Sequence, residues 1–111
     1  MVQDALDRVC NGTDGCESLA FVDLTTRMVL VSNADTPESQ DTLNLLCAEA
    51  AVLLDEGQIA MAATADRVHV FLRSPADPSD ALCCICAPAT DFAAFVPAAQ
   101  ACLAAISGGG A

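Results

Sequence analysis

Hydrophobic and polar residues between Thr36 and Gly57 (TPESQDTLNLLCAEAAVLLDEG) follow the period of one long α-helix. Leu43, Leu46, Cys47, Ala50, Leu53 and Leu54 recur at steps of three and four, so they share one face. That face is expected to pack on a core, where each fully buried aliphatic side chain contributes about 1.5–3 kcal/mol. Thr36 is the expected N-cap and Pro37 suits the first helical position. Glu38, Ser39 and Asp41 add acceptors or negative charge at the positive end of the dipole, and Gly57 is expected to close the helix in the left-handed conformation.

The same helix carries a second apolar line, Leu45, Ala48 and Val52, bordered by Asp41, Asn44, Glu49, Asp55 and Glu56. Monomers tolerate scattered exposed apolar residues. Three of them aligned on a helix and framed by acids suggest instead a small docking seam, with Leu45, Ala48, Glu49 and Val52 as its candidate residues.

Around this helix the pattern changes period. Val2, Leu6, Val9 and Cys10 fall on one side of a short helix ended by Asn11 and Gly12, and NGTDG is a loop by composition. SLAFVDL (Ser18 to Leu24) and MVLVS (Met28 to Ser32) are β-prone runs joined by a short hairpin, both apolar on two faces and so expected inside a sheet. QIAMAATA after Gly57 is a weaker strand, and no charge occurs between Glu56 and Asp66. At a sheet edge it would lack the charges and prolines that block strand addition, making Gln58, Ile59, Ala60, Met61, Ala62 and Ala63 candidates for pairing with a second chain.

RVHVFLR (Arg67 to Arg73) is a strong strand with Val68, Val70 and Leu72 on one face and Arg67, His69, Phe71 and Arg73 on the other. SPADPSD is a connector and ALCCICA (Ala81 to Ala87) a buried strand. Thr90 is the expected cap of a last helix with Phe92, Phe95, Val96, Ala99, Leu103 and Ile106 in phase and Pro97 kinking it or starting its main part. The order helix, two strands, helix, three strands, helix predicts an α+β domain over residues 1–106. Its five-stranded, mainly antiparallel sheet carries the long helix on one face and the terminal helices on the other, and residues 107–111 form a flexible tail.

Composition narrows the function classes. A chain of 111 residues, 54% hydrophobic and 17% charged, has room for one packed domain. Its net charge of −11, with four Arg and no Lys, repels phosphate backbones and anionic lipid, so neither nucleic acid nor a membrane is an expected partner. With 4% aromatic residues and neither Trp nor Tyr, a base-stacking surface is hard to build. Proteins remain as the expected partners. The acidic start MVQDALDR is unlike a secretory signal and seven Cys is an odd number, which together predict a cytoplasmic protein with reduced thiols.

The run CESLAFVDLTTRMVLVSN (Cys16 to Asn33), the long helix, RVHVFLR, ALCCICA and the closing helix together resemble the Roadblock / dynein light chain family, from about Val2 to Ile106. Element order and pattern carry the resemblance, and one departure is visible. The family's first hairpin usually has Gly shortly after the strand-ending Asp, where Arg27 stands here, which leaves the turn type open. The resemblance implies a roadblock/profilin-like fold and a homodimer, or a heterodimer with a related roadblock-type subunit, made by pairing edge strands into one continuous sheet with the long helices side by side. It also implies a non-catalytic module, without cofactor, that regulates or scaffolds a small Ras-like GTPase or assembles a signalling or motility complex.

Chemical readings are weaker. Cys83, Cys84 and Cys86 lack zinc-site spacing, and adjacent residues of a strand point to opposite faces, so they are expected to pack as small hydrophobes. His69 is the single histidine, with no nucleophile or paired carboxylate tied to it by spacing. It is expected in a polar row with Arg67 and Arg73, paired with the protein's own acids, lying under a terminal helix or receiving an acidic patch of a partner. Arg27 reads as an exposed turn residue, and GTDG has neither the length nor the Lys of a phosphate loop. The alternatives are a small-molecule sensor module of PAS or GAF type, or an enzyme with a reactive Cys. A sensor needs convergent polar groups in an apolar cleft.

Overall fold

The computed structural model describes residues 2–107. Its elements are α1 (Val2–Asn11), β1 (Cys16–Asp23), β2 (Met28–Ser32), α2 (Gln40–Leu54), β3 (Ile59–Ala63), β4 (Val68–Arg73), β5 (Asp80–Cys86) and α3 (Phe92–Ile106). The strands form a five-stranded sheet in the order β2-β1-β5-β4-β3, and every neighbouring pair is antiparallel. The α+β arrangement expected from the chain pattern is therefore the one observed, with β1, β5 and β4 inside and β2 and β3 at the edges.

Alternation along the inner strands builds two cores. Leu19, Phe21, Val68, Val70, Leu72, Leu82, Cys84 and Cys86 face α1 and α3, where Leu6, Phe95, Ala99 and Leu103 meet them. Ala20, Val22, Phe71, Ala81, Cys83 and Ile85 face α2, which presents Leu43, Leu46, Cys47, Ala50 and Leu54. Cys83 and Cys84 thus lie on opposite faces. Pro97 sits within α3 without ending it.

Several local expectations are corrected. Helix α2 starts at Gln40 with Ser39 as its cap, whose Oγ accepts from Thr42 N at 3.2 Å. Thr36 is occupied elsewhere: its Oγ1 lies 2.6 Å from Ser18 Oγ on β1, which holds Thr36 and Pro37 outside the helix. The positive-φ residue after α2 is Asp55 (φ 47°), and Gly57 is not left-handed. Leu53 is 43% exposed, because the stripe that meets the sheet is Leu43, Leu46, Cys47, Ala50 and Leu54, and one residue back from Leu54 is a turn of about 100°.

At the other end Asp91, not Thr90, caps α3, accepting from Ala94 N at 3.3 Å. Thr90 is buried against Gly15, whose φ of +94° and lack of a side chain permit the approach; a Cβ there would sit 2.4 Å from Thr90 Oγ1. Strand β2, expected inside, is an edge strand with Met28 and Leu30 more than half exposed. Ser107, placed with the tail by the sequence pattern, is buried, and its hydroxyl bonds Ser74 Oγ (2.8 Å) and Asp80 Oδ2 (2.7 Å). The rest of that tail, 108–111, lies outside the described residues.

Candidate partner-binding surface

On the outer face of α2, Leu45 is 73% and Val52 71% exposed, Leu53 adds a third large apolar side chain, and Ala48 and Glu49 are half-buried beside them. A helix facing only water gains nothing from this line, and α2 contains no Lys or Arg to break it. Leu45, Ala48 and Val52 thus form an apolar line on the outer face of α2, which Leu53 extends.

Beside α2 the sheet ends at β3. The register runs without interruption from Ile59↔Leu72 to Ala63↔Val68. Thr64 N donates to Arg67 O and Arg73 N to Gln58 O, which places the hydrogen-bonded pairs at 64/67 and 58/73 and, by alternation, at 62/69 and 60/71. The backbone N–H and C=O groups of Ile59, Met61 and Ala63 consequently point away from β4, toward the open edge. Side chains divide the other way. Ala60 packs on the α2 side, and Ala62 is opposite His69; Ile59, Met61 and Ala63 lie on the α1/α3 side, with Ile59 and Met61 about half exposed. The seam on α2 and the larger β3 side chains thus occupy opposite faces and share only the edge.

Between α2 and β4 lies a groove of about 370 Å³ lined by Glu38, Thr42, Leu45, Leu46, Glu49, Arg67, His69 and Ile85. It brings together two residues of the seam (Leu45, Glu49) and two of the polar row (Arg67, His69). Arg67 Nη1 donates to Glu38 Oε1 at 3.1 Å, with Glu17 Oε1 3.9 Å from Nε. His69 Nδ1 is 2.7 Å from Glu49 Oε1, an ion pair when the imidazole is protonated. The row pairs with the protein's own acids, as expected, but lies under α2 and not under a terminal helix. Glu49 is a carboxylate partner for His69 that spacing did not reveal, since the two come from different elements. Arg73 stands apart at the far end of β4, donating to Asp55 O at 2.7 Å.

The sequence pattern also missed Asn33. Its buried Oδ1 accepts from Leu19 N at 2.9 Å, tying the β2–α2 connection to β1. Among the described residues no cluster of three or more His, Cys, Asp or Glu is arranged to hold a metal ion, and no helix is long and apolar enough to cross a membrane.

No family model matches the sequence, and no curated protein matches it. Solved structures do. A Roadblock/LC7 domain from Streptomyces avermitilis superposes with a TM-score of 0.77 at 9% identity, covering 91% of this chain and 90% of that one. MglB in a tetrameric arrangement gives 0.75 at 14% identity, covering 94% and 83%, and MglC from Myxococcus xanthus gives 0.67 at 13%, covering 93% and 94%. At such identities the likeness is one of fold, and it extends over nearly the whole chain: this is the Roadblock/LC7 fold, the one that the order of elements in the sequence resembles.

Proposed function

We propose that this chain is a non-catalytic regulatory or scaffold module that works as a dimer, with itself or a related roadblock-type subunit. The observation that carries the proposal is the junction of an unbroken, uncharged edge strand, β3, with an exposed apolar seam on the adjacent helix α2. Two β3 strands related by a two-fold axis would join the sheets, and the same operation would bring the Leu45, Ala48 and Val52 seams together, burying both features in one interface. The fold shared with MglB in a tetrameric arrangement supports assembly.

Regulation or scaffolding of a small Ras-like GTPase is the further reading, resting on the Roadblock resemblance. A cytoplasmic location and a single domain over 1–106 accompany it. The groove residues Arg67 and His69, together with Arg73, are proposed as secondary partner contacts, since each is only partly buried.

Molar mass by size exclusion with light scattering, under reducing conditions, tests the core of this reading. The wild type is expected to be a dimer and Leu45→Asp with Val52→Asp a folded monomer. A wild-type monomer at high micromolar concentration would refute self-pairing, and an intact double-variant dimer would move the interface away from α2.

A further inference from the structure

Five of the seven cysteines lie on the α1/α3 side of the sheet: Cys10, Cys84, Cys86 and Cys102 in its core and Cys16 packed against it. Three of these meet. Helix α1 ends beside Cys10, the following loop returns the chain to Cys16 at the start of β1, and Cys16 stands opposite Cys86 in the ladder. Cys16 N donates to Thr13 O (3.2 Å) and Ala87 N to Gly15 O (2.8 Å), so Cys16 and Cys86 form a non-hydrogen-bonded pair. Such pairs have α-carbons about 4.5 Å apart, within the span of about 4.4–6.8 Å that a disulfide bridges.

The side chains complete the contact. Cys10, Cys16 and Cys86 all pack on the α1/α3 core, so their side chains lie on the same face of the sheet. Cys10 Sγ donates to Cys16 O at 3.4 Å and accepts from Asn33 Nδ2 at 3.6 Å. The neighbouring Cys16 side chain, not the bond to its carbonyl, pulls the Cys10 thiol below its ordinary range, whereas the side chains of Cys10 and Cys86, then burial, push Cys16 up. Cys16 is the partly exposed member of the trio, with Cys10 (8% exposed) and Cys86 buried behind it. Elsewhere the thiols are inert by comparison: desolvation pushes Cys83 and Cys84 up, and both are fully buried.

We propose that Cys10, Cys16 and Cys86 form a peroxide-oxidisable site in which Cys16 becomes disulfide-bonded to one of its two neighbours. The Cys10 thiolate attacks a peroxide oxygen, the O–O bond breaks, and hydroxide leaves Cys10 as the sulfenic acid. Hydroxide takes the Cys16 thiol proton, forming water. The Cys16 sulfur then attacks the Cys10 sulfur; an S–S bond forms, the S–O bond breaks, and the departing hydroxide takes up the proton that Cys10 first released. Two thiols are oxidised by two electrons in all, and the peroxide is reduced to two waters. Attack of the Cys86 thiolate on the Cys16 sulfur moves the bond across the ladder and frees Cys10, with no net redox change. The site faces away from α2, so it stands independently of the dimer proposed above.

Hydrogen peroxide added at equimolar amount to the folded, reduced protein tests this, with intact mass, thiol counting and peptide mapping under non-reducing conditions. Free thiols are expected to fall from seven to five, through an intramolecular disulfide that contains Cys16 and is reversed by dithiothreitol. Cys16→Ser is expected to keep its thiols at the same dose, and Cys47→Ser to lose two like the wild type. The proposal is overturned if the wild type is unchanged, if it only gains oxygen, or if the disulfide omits Cys16. Because the map of the wild type decides this directly, a variant that fails to fold leaves the test intact.

Discussion

The two edges of the sheet, β2 and β3, are both five residues long, yet one ladder is interrupted and the other regular. In β2 the register shifts: Phe21 pairs with Val31 and Val22 with Val29, leaving Leu30 as an extra, unpaired residue. That bulge bends and twists the strand and spoils it as a template for another chain. Neighbouring parts close in as well. Gln3 Nε2 donates to Ser32 O at 3.3 Å, and the hairpin leading into β2 is held by Asp23 Oδ1, which accepts from Thr25 N at 2.9 Å. Strand β3 has no bulge and no charge, and every second residue turns its backbone groups outward. Hydrophobic exposure alone does not separate the two edges, since Met28 and Leu30 are as exposed as Ile59 and Met61. Backbone regularity does.

Proline substitution breaks the comparison most sharply, because in β3 its effect should depend on which way the N–H points. Ala62→Pro removes a ladder bond to β4 and is expected to lower folding stability by more than the roughly 0.5–1.5 kcal/mol of that one hydrogen bond, read from chemical denaturation. Met61→Pro deletes only an outward donor. It should leave the fold nearly intact and weaken self-association by about 100-fold, the loss of a few backbone hydrogen bonds of roughly 0.5–1.5 kcal/mol each. Equal destabilisation by the two variants would show that the register of β3 is not as described.

Smaller effects belong to β2. Arg27 holds a φ of +59°, the conformation in which Gly is normally favoured, so the turn left open by the sequence is one that tolerates a strained residue. Arg27→Gly should raise the thermal midpoint, by relief of about 0.5–1 kcal/mol after the entropy of the unfolded Gly is subtracted. Leu30→Asp is the control: a stability change within about 0.5 kcal/mol and no change in molar mass by light scattering. A monomeric Leu30→Asp would transfer the interface from β3 to β2.

Legibility in the sequence followed burial. Strands β1 and β5 were readable as short apolar runs bounded by turn residues, β4 and helix α2 because their apolar positions recur with one clear period, and the exposed line Leu45, Ala48 and Val52 because it departs from that period. Caps were misplaced by one to three residues, since Thr36 and Thr90 have the right chemistry for a cap but make their contacts with Ser18 and Gly15, far along the chain. The groove partners Glu38, Glu49, Arg67 and His69 were readable singly and not as pairs.

What the sequence determined by itself was the kind and order of elements, because hydrophobic periodicity acts locally and each strand or helix carries its own record of which face is buried. Which strands become edges, where a bulge falls and which cysteines meet depended on pairing between segments tens of residues apart. Cys16 and Cys86 lie opposite each other only because β5 returns beside β1. β3 is open only because the sheet ends there. Those outcomes are set by the register of the assembled sheet, which the tertiary structure alone supplies.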